Sequence, residues 1–197
     1  MNYRWFIWGL SNGVFVLAIA GGFWFGMAQS SLRVPWPLAA LTVACEAGLL
    51  WGAYRLRRKA GGFRLAEVKQ GDEHQRRILR TVFSTYRWIT LAQTVVVALG
   101  VGLCAAFHRI DLIWSVIGLI VSLHFAPLAR VFRVPPYYAT AVLGSILSLL
   151  SFAAPRTPMK LVFLGNGLGA VVWLTAIYAL LRADRLAQRA IELFGAA

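Results

Sequence analysis

Stretches of apolar residues, each roughly 20 long, recur along the whole chain, and each is long enough to cross about 30 Å of hydrocarbon as a helix. Backbone groups in lipid must be hydrogen-bonded within their own segment or in a closed barrel. These stretches lack the alternation of a barrel strand, so the chain reads as all-α, a polytopic transmembrane helical bundle. Six spans are expected: Trp5–Ala28, Val34–Tyr54, Trp88–Phe107, Leu112–Phe132, Tyr137–Ala154 and Leu161–Leu181. The fifth is the shortest and is entered by Pro135-Pro136, a favourable helix start. Composition agrees, with 59% hydrophobic and 14% charged residues and a mean hydropathy of +0.68. The whole of 1–197 reads as one transmembrane domain.

A net charge of +13 raises the question of nucleic acid, but the distribution of that charge answers it. Of 20 lysines and arginines, Arg33, Arg109, Arg156 and Lys160 fall on one side of the six spans and all others on the opposite side. This obeys the positive-inside rule and places both ends in the cytoplasm. The partner implied is a bilayer, and nucleic acid is excluded as the reading. The amino terminus imitates a signal peptide, with Arg4, an apolar run and Gly26-Met27-Ala28. That run exceeds the usual h-region length, so an uncleaved first span is expected. Cys45 and Cys104 sit at different expected depths and predict neither a disulfide nor a metal framework.

The external connections, 29–33, 108–111 and 155–160, are short. The one long polar stretch is the cytoplasmic basic loop 55–87. Arg55, Arg57, Arg58 and Lys59 open it, and such clusters bind anionic lipid headgroups or simply anchor topology. Gly61-Gly62 breaks it. From His74 onward Ile78, Leu79, Val82, Phe83 and Tyr86 form an apolar stripe, which predicts that the third helix begins before the membrane. The tail after Leu181 is expected to continue the sixth helix, with Leu186, Ala190, Leu193 and Phe194 on one face. Aromatics gather near span ends, as interfacial belts do, and no internal repeat of the kind common in transporters is visible.

Small residues recur at four-residue spacing: Gly9/Gly13, Gly22/Gly26, Ala44/Gly48/Gly52, Ala98/Gly102/Ala106 and Gly165/Gly169. Such faces let helices approach closely. Packing within the bundle is the first reading, and a homo-oligomer or a membrane partner the second.

Polar side chains inside the spans are few. At 1.5 Å per residue, Glu46 and His124 lie roughly 18 Å below the outer boundary. Asn12 and Gln93 lie roughly 10 Å and roughly 8 Å above the inner one. These four form an expected intramembrane polar centre in which Glu46 and His124 are at a depth that permits pairing. Three readings of Glu46 stand open: a hydrogen-bonded structural residue, a cation site or proton relay, and a residue facing lipid or a cavity without a role. His124 stands in Ser122-Leu-His-Phe-Ala-Pro127, where Pro127 lacks an N–H and frees the Leu123 carbonyl. This is either a helix kink with a satisfied histidine or the lining of a polar pocket. Asn166 reads as packing or a helix start. No catalytic constellation, cofactor motif or metal-ligand spacing is present in the sequence.

The segment Leu123-His-Phe-Ala-Pro-Leu-Ala-Arg-Val-Phe-Arg-Val-Pro-Pro-Tyr-Tyr-Ala-Thr140 resembles a family of small, uncharacterised bacterial six-span membrane proteins. Their pattern is similar to Leu-His-Phe-x-Pro-Leu, a basic residue, then a Tyr-Tyr pair. The resemblance implies that His124, Pro127, Tyr137 and Tyr138 belong to that pattern, and it implies no activity; the expected location is a bacterial inner membrane. The function expected is a small transporter or transport component with a polar centre. The alternatives are an accessory subunit that binds a partner or anionic lipid, and a membrane-embedded lipid-modifying enzyme.

Overall fold

A computed structural model describes residues 3–31, 35–62, 73–132, 134–154 and 157–194. The order is α1 (Tyr3–Ser30), α2 (Trp36–Gly62), α3 (Glu73–Ala106), a 3-10 turn (Ile110–Leu112), α4 (Ile113–Phe132), α5 (Pro136–Phe152) and α6 (Thr157–Phe194). Among the described residues there is no strand. Among the described residues five helices carry a stretch long and apolar enough to cross a membrane: Gly9–Ser30, Trp36–Arg58, Ser84–Ala106, Ile110–Phe132 and Pro158–Gln188. The sixth, α5, is apolar but has 17 residues.

The ends of the helices follow local chemistry. The third helix begins at Glu73 and the last runs to Phe194, both as the apolar stripes predict. α2 continues to Gly62, so Arg55, Arg57 and Arg58 ride on helix instead of loop; Leu56 on the same turns is buried and holds them there. α3 stops in a six-residue cap. The Arg109 N–H bonds the Cys104 carbonyl at 2.7 Å and the His108 N–H bonds that of Ala105 at 3.1 Å. His108 takes the left-handed conformation this cap needs, with φ 54°, a position usually given to glycine.

The helices divide into two compact units. The first comprises α1 up to Phe23, α2, and α6 from Val172. Leu10, Val14, Leu17 and Ala18 recur at helical spacing on α1 and are buried, as are Leu49, Ala53 and Leu56 on α2. On α6 the buried stripe is Val172, Ala176, Ala179, Ala183 and Ala187. Leu186, expected to share one face of the tail with Ala190, Leu193 and Phe194, is half-buried beside that stripe, and the side chains of the other three lie outside the described residues; the alanines take the inside because they allow closer approach. The Ser11 hydroxyl donates to the Ala53 carbonyl at 2.7 Å. The indole of Trp173 fills the space over Gly21 and donates to the Ala18 carbonyl at 3.1 Å.

The second unit holds the end of α1 from Trp24, α3, α4, α5 and the start of α6. Its centre is an antiparallel seam of small residues. Ser115, Gly118 and Ser122 on α4 face Ser151, Ser148 and Gly144 on α5, and all six are buried. A methyl group on Gly118 would lie 2.9 Å from Ser148 Oγ, and one on Gly144 would overlap Ser122. The hydroxyls stay satisfied: Ser122 donates to the Gly118 carbonyl at 2.7 Å, Ser148 to that of Gly144 at 2.8 Å, and Ser115 and Ser151 share a 2.7 Å bond across the seam. Leu164 and Leu168 of α6 cover the seam and pack with Trp24.

Gly165 shows how tight this packing is. A Cβ there would meet the Trp24 backbone oxygen at 2.5 Å and Ala28 Cβ at 2.8 Å, neither of which can swing away. Gly165→Ala is expected to destabilise the detergent-solubilised protein by about 1–3 kcal/mol through overpacking. Gly102→Ala, whose Cβ would meet no atom within 4 Å, is expected to cost nothing. Thermal unfolding of the two variants side by side checks this.

Candidate functional site

Glu46 occupies the middle of α2, roughly 15 Å from the Trp36 end of the apolar stretch and roughly 18 Å from its Arg58 end. It belongs to the first unit and is half-buried. Its carboxyl group lies directly over Gly22 of α1, where an added Cβ would sit 2.5 Å from Cδ and 2.7 Å from Oε1. Glycine is thus the residue that leaves room for the carboxyl between α1 and α2. Neither carboxyl oxygen has a hydrogen bond or ion pair among the described residues. An unpaired carboxylate at that depth costs several kcal/mol, roughly 3 on insertion scales. Asn12 lies in the same unit, half-buried, one residue along from Ser11.

The other two residues of the expected polar centre, Gln93 and His124, belong to the second unit. α3 and α4 run antiparallel there. Gly100 is packed on Val116 and Ile120, and the Tyr86 and Phe132 rings are 5.8 Å apart. That register puts Gln93 and His124 at one level on facing helices, both half-buried. His124 Nδ1 is buried without a hydrogen-bond partner among the described residues, as is Thr90 Oγ1 one turn along α3 from Gln93. The helix continues through Pro127, and the Leu123 carbonyl loses the donor that proline lacks.

The basic cluster is exposed where it is described: Arg55, Arg57 and Arg58 project from the last turns of α2. The side chain of Lys59 lies outside the described residues. Trp51 and Tyr54 are exposed on the turn before it, their rings 5.9 Å apart. Among the described residues no three His, Cys, Asp or Glu side chains come together as metal ligands, and Cys45 and Cys104 are free thiols.

One charged contact escapes a reading of the sequence by charge tally. Lys160, in the first turn of α6, is buried to 7% side-chain exposure and donates to Asp111 Oδ2 at 3.2 Å. Asp111 also accepts from Arg109 Nε at 3.3 Å. The signal was available: two opposite charges at the same ends of neighbouring spans, in connections otherwise almost free of acid. Thr90 and the serine seam carried no such signal, because hydroxyls are common in membrane helices and their facing is not a property of spacing alone.

Comparison of the chain with protein-family models, with curated proteins and with solved structures gives no match. The functional reading therefore rests on the residues themselves.

Removing the carboxylate from the Asp111 pair leaves a buried ammonium unpaired. Asp111→Asn is expected to lower the melting temperature, and Asp111→Asn with Lys160→Met to recover most of the loss. Melting curves of both variants test this; equal destabilisation by the double variant would show that the pair does not hold the 3-10 turn to α6.

Proposed function

We propose that this chain is a six-span protein of a bacterial inner membrane, both ends cytoplasmic, that works as a small transporter or transport component and passes a proton or cation by way of Glu46. The observation that carries this reading is the Glu46 carboxyl at mid-span, over Gly22, without a protein donor among the described residues. A purely structural acid at this depth would be expected to hold a partner. Counting α5 as the sixth span is supported by its apolar character and its length of 17 residues, the lower end of the usual range of about 17–25. The skewed distribution of lysine and arginine supports the orientation, and the resemblance around His124 and Tyr137-Tyr138 supports the bacterial setting.

A second reading, an accessory subunit docking another membrane helix, is favoured by one feature. The stripe Ala98, Gly102 and Ala106 on α3 is exposed, where packing within the bundle was expected. Small-residue faces of this kind admit a close partner.

Proton flux in liposomes separates the two. Wild type is expected to carry flux, and Glu46→Gln to fall to the level of protein-free liposomes. Gly22→Ala pushes the carboxyl from its position without removing it, and is expected to slow flux while the protein still folds. Absence of flux in wild type, or equal flux in a folded Glu46→Gln variant, removes the relay reading and leaves the accessory one.

A further inference from the structure

A groove of about 550 Å³ runs along α3, lined among others by Ser84, Arg87, Trp88, Thr90 and Leu91. Ser84, Arg87, Trp88 and Leu91 follow the i, i+3, i+4, i+7 spacing and so share one helix face. The apolar stretch of α3 begins at Ser84, which sets the depth of each group. Arg87 is about one turn in, at headgroup level, and Leu91 is roughly 6 Å deeper, at the level of acyl chains. Arg87 is exposed and has no ion pair among the described residues. Trp88 is 68% and Leu91 52% exposed, so the apolar wall is open to lipid.

We infer that this groove holds one anionic phospholipid. The phosphate pairs with Arg87. An acyl chain lies over Trp88 and Leu91. A cation at headgroup level and an apolar strip running deeper from it match the phosphate and the acyl chain of such a lipid in order. A zwitterionic lipid brings its own amine to the phosphate and gains less from an unopposed guanidinium. Inorganic phosphate would use Arg87 and leave the apolar wall unused.

Native mass spectrometry of the full chain, loaded with phosphatidylglycerol or phosphatidylcholine of equal chain length, tests the assignment. Wild type is expected to retain one phosphatidylglycerol in preference to phosphatidylcholine. Arg87→Gln is expected to lower that preference about fivefold, the usual weight of one basic residue at a membrane surface, and Arg87→Lys to keep most of it. Leu91→Trp, which fills the groove and keeps the cation, is expected to reduce retention of both lipids. Unchanged preference in a folded Arg87→Gln variant overturns the inference. So does an equal loss in Arg57→Gln/Arg58→Gln, which would assign the effect to the general basic field, and so does displacement of the lipid by inorganic phosphate.

Discussion

Close approach of helix backbones through small residues is what holds each unit together. In lipid the exterior is as apolar as the side chains, so burying a leucine between helices gains little over leaving it outside. Van der Waals contact at short range and a few hydrogen bonds supply the drive. The α4–α5 seam shows the consequence: glycines face serines, and the hydroxyls are satisfied either by a carbonyl on their own helix or by one another. Gly165 against the Trp24 carbonyl and Gly21 under the Trp173 indole repeat the same solution elsewhere. Large apolar side chains such as Leu99, Leu103 and Leu174 are left on the outside, more than half exposed, where lipid is their solvent.

Glu46 is an exception built by the same device. A gap left by glycine is filled by a carboxyl group instead of a methyl or a ring. Because Gly22 contributes no donor from a side chain, the contact gives Glu46 space without neutralising it. The proposed proton or cation route rests on this placement, in which no strong protein bond to the carboxyl has to be broken first. The Lys160–Asp111 contact is the contrasting case, in which a buried ammonium is matched by a carboxylate and the chemistry is spent on holding a turn.

Much of the helical layout was legible in the sequence, because length, hydropathy and periodicity act locally. The early start of α3 followed from the stripe at Ile78, Val82 and Tyr86, and the long α6 from the apolar residues beyond Leu181. Facing was less legible. Ala98, Gly102 and Ala106 have the same spacing as Gly165 and Gly169, yet the first set is exposed and the second is buried. Spacing states that a helix has a small face; which neighbour meets it is decided by packing across the unit. Of the four residues of the expected polar centre, Gln93 and His124 lie on facing helices of one unit, and Asn12 and Glu46 belong to the other. Glu46 meets a glycine, a partner that a search among polar residues passes over.

Cysteine cross-linking across α1 and α2 probes the contact between Gly22 and Glu46 without relying on flux. In a chain with Cys45 and Cys104 replaced by alanine and serine, Gly22→Cys with Glu46→Cys is expected to join rapidly under mild oxidation in membranes. Gly22→Cys with Gly48→Cys, on a part of α2 where Gly48 meets no atom within 4 Å, is expected to stay reduced. Failure of the first pair in a folded protein, or equal joining of both, would contradict the placement of the carboxyl over Gly22 and with it the proposed route for a proton.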